Sequence, residues 1–169
     1  YLATRSGLEK WNPEELKTFG TFTVFDLLMK YIKEERIKID KSKITKLAAY
    51  HDPCNYGRKA QMLFGHGYFQ EPRWIMDQCA EEWVDLYPME MNQTCCGGGG
   101  GTLTTGNDEE RVYYGRKKID QIKASGAEMI VVPCHSCHGQ LNNIKKEHGF
   151  EELEVKYLWE IVADALILK

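Results

Sequence analysis

Two adjacent cysteines followed directly by five glycines, Cys95-Cys96 and residues 97–101, constrain this chain more than any other stretch. Neighbouring side chains of an extended segment point to opposite sides, so both thiols can face one object only if the backbone bends sharply. Glycine permits such a bend, because it adopts positive φ freely and lets the backbone approach a ligand closely. A helix that starts after the glycines would also point free N–H groups at that object. We therefore interpret the stretch as a cradle for an anionic group held through sulfur.

Two further cysteine segments flank this stretch, His51-Asp52-Pro53-Cys54 before it and Pro133-Cys134-His135-Ser136-Cys137 after it. Five of the six cysteines belong to these three segments. The sixth, Cys79, lies within a predicted helix. We interpret it as a buried and inert thiol, because free cysteine packs as a small hydrophobic residue.

Hydrophobic periodicity predicts alternating strands and helices after an N-terminal stretch of mixed character. Thr21 or Thr23 suits the N-cap of the first predicted helix. The predicted helices cover residues 22–36, 73–86, 107–125, 136–148 and 158–168. The predicted strands cover residues 44–50, 88–94, 129–132 and 154–157, while residues 33–46 are predicted to form a short exposed strand or loop.

This alternation predicts an α/β fold, a mostly parallel, Rossmann-like sheet flanked by helices. In such sheets, ligands bind beyond the carboxyl ends of the strands. Three predicted strands, residues 44–50, 88–94 and 129–132, each run into one of the cysteine segments. A parallel sheet would bring these three ends to one edge, so the sequence predicts a single shared site there.

The length and charge of the chain limit its class. With 169 residues it is predicted to be a single domain, with a core at about residues 44–168 and an N-terminal helical extension at residues 1–43. A net charge of −3 gives no case for a nucleic-acid surface, and no apolar run approaches the length of a membrane span. Because the first residue is Tyr1 and not methionine, the chain is expected to be a fragment of a larger subunit.

The shared site could in principle be a zinc site, a redox-active C-x-x-C, part of a disulfide framework or an iron–sulfur centre. Structural zinc takes four ligands, commonly as two C-x-x-C pairs, and it is kept as an alternative. A thioredoxin-like C-x-x-C needs only Cys134 and Cys137 and leaves the glycine-rich stretch unexplained. A disulfide framework suits small secreted chains with poor cores, which this chain is not. An iron–sulfur centre fits best, because it uses several thiolates in a backbone cage that donates N–H groups to sulfur.

The three segments, in this order and with these flanking residues, resemble the cysteine-rich CCG domain over about residues 47–141. That domain occurs in the B and D subunits of heterodisulfide reductase and in related oxidation systems. The string Tyr50-His51-Asp52-Pro53-Cys54-Asn55-Tyr56-Gly57-Arg58 is further similar to the catalytic K subunit of the Dsr membrane complex of sulfate reducers.

The resemblance implies a noncubane [4Fe-4S] cluster at which a disulfide or trisulfide is reduced or formed. The implied ligands are Cys54, Cys95, Cys96, Cys134 and Cys137, with Gly97 and Gly98 also at the cofactor. It also implies a cytoplasmic subunit that reaches the membrane only through partners. Those partners would be a small sulfur-carrier protein of the DsrC type, other iron–sulfur subunits and a membrane cytochrome.

The candidate catalytic residues are titratable side chains that stand beside the implied ligands. His51 and His135 are the main candidate proton donors, because histidine titrates near neutrality, and His138 is a weaker one. Arg58 and Lys59 could attract an anionic substrate, although solvated surface is the simpler interpretation. Two alternative functions remain open, a zinc- or cluster-bearing docking module and a simple electron relay.

Overall fold

The computed structural model describes residues 1–168, and its centre is a four-stranded sheet in the order β2-β1-β3-β4. The strands are β1 (Ala48–Tyr50), β2 (Trp83–Asp85), β3 (Met129–Val132) and β4 (Glu154–Tyr157). Every neighbouring pair is parallel, with Ala48 opposite both Trp83 and Met129. The predicted α/β fold with a parallel sheet is therefore confirmed.

The two central strands are buried because helices cover both faces of the sheet, as expected for all-parallel sheets. On one face Tyr50 and Val131 pack in an apolar cluster with Phe25, Ile75 and Leu158. On the other face a second cluster forms around the alternate strand residues and the helices that follow β2 and β3. Its members include Ala49, Ile130, Val132, Ile119, Ile122, Leu141 and Ile144.

Eight helices surround the described sheet. They are α1 (Leu2–Trp11), α2 (Pro13–Phe19), α3 (Val24–Lys33), α4 (Ala60–Phe64), α5 (Gln70–Cys79), α6 (Asp108–Ser125), α7 (His135–Glu147) and α8 (Leu158–Asp164). Thr23 is the N-cap of α3 and forms a capping box with Asp26, which explains why this helix starts where its apolar period predicts. Within residues 1–168, no helix combines the length and the apolar character that a membrane crossing requires.

One predicted strand is wrong. Residues 88–94 form no strand; instead Glu90–Asn92 makes a single 3₁₀ turn. Pro88 lacks an N–H for a ladder, and the N–H of Glu90 donates to Asp52 and not to a neighbouring strand. The strand of this region, β2, lies within the predicted helix 73–86, because α5 already ends at Cys79.

The N-terminal region is more regular than its composition indicates. Residues 1–20 hold α1 and α2, neither of which buries a residue. Tyr1 packs edge-on against Phe64 and Tyr68 and so links α1 to the rest of the chain. The charge-dense residues 33–46 form a loop with one 3₁₀ turn, Lys41–Lys43, and an isolated antiparallel bridge between Ile39 and Leu166.

Candidate metal centre

The cysteine segments meet at the carboxyl edge of the sheet because β1 and β3 are neighbours. The N–H of His51 donates to the carbonyl of Val131 at 3.0 Å, which extends the pairing one residue past β1. The chain then turns through Pro53 to Cys54, while β3 runs through Pro133 to Cys134, the N-cap of α7. Two of the three predicted strand-to-cysteine connections are thus present.

The Cys95-Cys96 pair reaches the same edge by a different route. It does not end a strand, since residues 86–94 separate it from β2. The N–H of Glu90 donates to Asp52 Oδ2 at 2.7 Å, which holds this connection against the end of β1. Arg58 Nη1 also donates to the carbonyl of Gln93 at 3.1 Å. Arg58 therefore fixes the loop before Cys95, a role that its charge alone did not indicate.

A buried group of three ligand atoms forms the inner side of the site. One ring nitrogen of His51, Cys96 Sγ and Cys137 Sγ all lie within 4.8 Å of one another. Cys54 and Cys134 are half-buried around this group, and Cys95 is exposed. Burial raises the pKa of Cys54, and the thiols of Cys96 and Cys134 raise it further, so Cys54 interacts electrostatically with both of these cysteines.

The thiols divide into two electrostatic groups. Interactions with Cys137 and Cys95 lower the pKa of Cys96. The thiol of Cys137, together with the N–H groups of Cys137 and Ser136 at the start of α7, lowers the pKa of Cys134 to about 6. The pKa values of Cys95 and Cys137 are raised, chiefly by their cysteine neighbours. The pocket therefore favours negative charge on Cys96 and Cys134, and the neutral thiol at the other positions.

Cys79 lies apart from this cluster. It is buried at the end of α5, in the apolar core on one face of the sheet. Burial raises its pKa to about 12, and no other cysteine contributes to that shift. This placement agrees with the interpretation of Cys79 as an inert packing residue.

The glycine-rich loop wraps over the site and needs its glycines at particular positions. Gly97 has a φ of +87°, and its N–H donates to Cys95 Sγ at 3.3 Å. A Cβ added to Gly98 would lie 2.7 Å from the carbonyl oxygen of Ser136 and 2.6 Å from Gln140 Cβ. The loop therefore approaches the first turn of α7 more closely than any other residue type allows.

Gly98→Ala is expected to lower the metal content of the anaerobically purified chain several-fold. The new methyl group would push the loop, and with it Cys95 and Cys96, away from α7, at a cost of about 1–3 kcal/mol. Iron, sulfide and zinc per chain measure the effect. Gly106→Ala is the matched control, because a Cβ there meets open space. Equal metal content in the two variants would contradict this role of Gly98.

The histidines occupy different environments. His51 is fully buried, and within residues 1–168 its ring nitrogens have no hydrogen-bond partner; burial lowers its pKa, so the imidazole is neutral. His135 lies on the solvent side, with Nδ1 2.5 Å from the hydroxyl of Tyr157. His138 stacks on the Tyr157 ring at 4.0 Å between centroids. The structure thus adds His51 to the candidate ligands, and the proton-donor roles remain predictions.

A buried ion network supports the site, and sequence patterns did not reveal it. Arg73 Nη1 and Nη2 donate to the two oxygens of Asp52 at 2.9 and 2.8 Å. Its Nε and Nη2 also donate to Asp85 at 3.0 and 2.7 Å. The guanidinium therefore joins α5 to the ends of β1 and β2. Asp52 stands inside the cysteine motif, but no signal in the sequence points to Arg73.

Two clefts reach the cluster from the surface. One, of about 430 Å³, is bordered by Cys134, His135, Tyr56 and Trp159. The other, of about 370 Å³, is bordered by Cys95, Gly97, Thr102 and Tyr114 among others. The first cleft borders the thiol of Cys134 and the second that of Cys95. A molecule in either cleft would therefore approach a group bound by the cysteines.

The donor set fits a thiophilic metal group. The ligand atoms of His51, Cys96 and Cys137 lie together, and Cys54, Cys95 and Cys134 interact electrostatically with this group; both zinc and iron–sulfur clusters use such ligands. A family model described as the CCG cysteine-rich domain matches residues 48–142, a span that contains His51 and all five converging cysteines. No curated protein and no solved structure matches the chain.

Proposed function

Because this chain belongs to the family of CCG cysteine-rich domains, we propose that it is an iron–sulfur redox domain acting on a disulfide or trisulfide. The proposed cofactor is a noncubane [4Fe-4S] cluster, held by Cys54, Cys95, Cys96, Cys134 and Cys137. When bound, such a cluster supplies electrons together with iron that has affinity for sulfur.

The number of converging thiols carries this proposal. Structural zinc is saturated by four ligands, whereas five thiols and an imidazole are proposed to serve this site, and the ligand atoms of three of them lie within 4.8 Å of one another. The glycine-rich loop adds backbone N–H groups beside the sulfurs, of which the bond from Gly97 to Cys95 is one. Hydrogen bonds to sulfur and partial exposure are the features by which proteins tune iron–sulfur groups.

The residues around the site have different proposed roles on its buried inner side and on its solvent-facing outer side. Cys96, Cys137 and His51 are buried and exclude water from the inner side. Cys95 is exposed and Cys134 half-buried, so a sulfur substrate can approach from the clefts beside them. In the proposal, His135 holds a proton on the solvent side and shares it with the hydroxyl of Tyr157. His51 is the proposed proton-transfer residue on the buried side.

The proposed setting is a subunit of a larger complex. Only Cys79 lies outside the cluster of thiols in this sequence, so a second centre that delivers electrons would be carried by another segment or subunit. The residue string 50–58 supports an assignment to the catalytic subunits of Dsr-type membrane complexes. The substrate would then be the disulfide or trisulfide form of a small sulfur-carrier protein.

Metal and sulfide analysis of the anaerobically purified chain tests the proposal. We expect about four iron and four sulfide per chain with little zinc. A change in the EPR spectrum on adding a disulfide substrate would then support direct binding at the cluster. If no disulfide changes the EPR spectrum while the chain still transfers single electrons, the electron-relay function is favoured.

A structural zinc module is the second candidate. The group formed by His51, Cys96 and Cys137 is a mixed nitrogen and sulfur set that zinc accepts once a fourth ligand joins it. One zinc per chain with no sulfide would favour this function. The domain would then dock neighbouring subunits without turnover.

A further inference from the structure

A buried lysine of α6 has no role in the function proposed above, although its neighbour Ile119 packs in one apolar cluster with Cys96 and Cys137. Lys118, in the middle of α6, is 0 % exposed. Within residues 1–168 its Nζ has no hydrogen-bond partner. A buried ammonium without a partner is costly, so such a group either loses its proton or is compensated by nearby negative charge.

Within residues 1–168, the Lys118 ammonium pairs with no carboxylate. The acidic groups that act on Lys118 are Cys96, Asp52, Cys137 and Cys95. Both oxygens of Asp52 are engaged, Oδ1 by Arg73 and Oδ2 by Arg73 and the N–H of Glu90. Asp52 shares the Arg73 guanidinium with Asp85, and the cysteine thiols supply the further negative charge that acts on Lys118.

The titration of Lys118 agrees with this geometry. Burial lowers its pKa to about 8, while Cys96 and the other acidic groups act in the opposite direction. At neutral pH the side chain is therefore mostly charged, and thiolate ligands would keep it so.

We propose that the Lys118 ammonium is the internal counter-ion of the group that the cysteines bind, strengthening its retention and raising its reduction potential. The effect on potential rests on the proposed iron–sulfur function, whereas the effect on retention applies to any thiolate-bound metal. A fixed positive charge favours the more negative form of a neighbouring group, and each added electron makes a cluster more negative.

Packing alone predicts a different behaviour. The lysine stem fills space between α6 and the sheet, and methionine has nearly the same volume without the charge. If Lys118 only filled space, Lys118→Met would leave the metal group unchanged. If it is the counter-ion, the same variant would fold but hold an altered group.

The test compares charge removal at two adjacent positions of α6. Lys118→Met is the test variant, and Lys117→Met, which removes an exposed charge, is the matched control. By EPR-monitored redox titration we expect Lys118→Met to lower the equilibrium constant for one-electron reduction at least tenfold, a shift of 59 mV to more negative potential. Lys117→Met should match the wild type, because solvent screens its charge.

Further variants keep the test decisive. Lys118→Arg should restore the potential toward the wild-type value, and Lys118→Gln gives a second charge-free variant if Lys118→Met does not fold. Equal potentials in Lys118→Met and Lys117→Met would overturn the inference while leaving the proposed function intact.

A zinc-loaded chain separates the two proposals. If the purified wild type holds zinc without sulfide, the iron–sulfur function fails, and release of zinc to a chelator becomes the measurement. We then expect at least tenfold faster release from Lys118→Met than from Lys117→Met. Equal release rates would overturn the counter-ion role. A wild type that retains neither iron nor zinc would overturn both proposals.

Discussion

Replacing Cys96 with alanine is expected to reduce the iron and sulfide content of the anaerobically purified chain to less than about a tenth of the wild-type value. Cys96 is one of two thiols in the buried group, since its Sγ, Cys137 Sγ and a ring nitrogen of His51 all lie within 4.8 Å of one another. Its pKa is also lowered by Cys137 and Cys95, which makes it the thiol best prepared to bind metal. Loss of the characteristic EPR signal should accompany the loss of iron.

Cys79→Ala is the matched control for this experiment. Cys79 is as buried as Cys96, but it packs in the opposite apolar core and its pKa is raised by burial. The control should keep its iron, sulfide and EPR signal, although it loses some packing. A Cys96→Ala chain that retains the wild-type signal would remove Cys96 from the ligand set.

Arg73→Met is expected to lower the free energy of unfolding by about 3–5 kcal/mol, because it leaves the buried Asp52 and the half-buried Asp85 without their cation. Asp52 and Asp85 receive four hydrogen bonds from this one guanidinium, and Asp52 is almost completely buried. Urea unfolding under anaerobic conditions measures the change. Metal content should fall as well, since the network holds the ends of β1 and β2 in place.

Arg36→Met serves as the control for Arg73→Met. Arg36 is exposed and lies 3.8 Å from Glu34, an ion pair of the kind that contributes little to stability. Its removal should change the free energy of unfolding by less than about 0.5 kcal/mol. A similarly small change for Arg73→Met would mean that the buried network does not hold the two strand ends.

The sheet and its site edge could be predicted where local patterns agree with tertiary structure. The apolar run of β3 and the proline that follows it marked both a buried strand and its end. The first strand was also predicted, although only Ala48–Tyr50 of residues 44–50 pair in the sheet. Cysteine spacing then brought the three segments together without any knowledge of the sheet order.

The prediction failed where tertiary contacts decide the structure. Trp83 and Val84 fit a helical period as well as a strand, and only pairing with Ala48 and Ala49 makes them β2. Glu90 is turned away from a strand by Asp52, a residue far from it in the sequence. The buried positions of His51 and Lys118 have no local signal, because burial of a polar side chain depends on the helices packed above it.

The order of the strands has a consequence for the biogenesis of the centre. β1 and β3 are neighbours in the sheet, yet the segments that bear Cys54 and Cys137 are separated by about half of the chain. Closing such a long loop precedes any gain from the contacts at its ends. The thiols therefore cannot surround one point until Cys137 has left the ribosome and β3 has paired with β1. Insertion of the proposed metal group is accordingly expected to follow the pairing of β3 with β1.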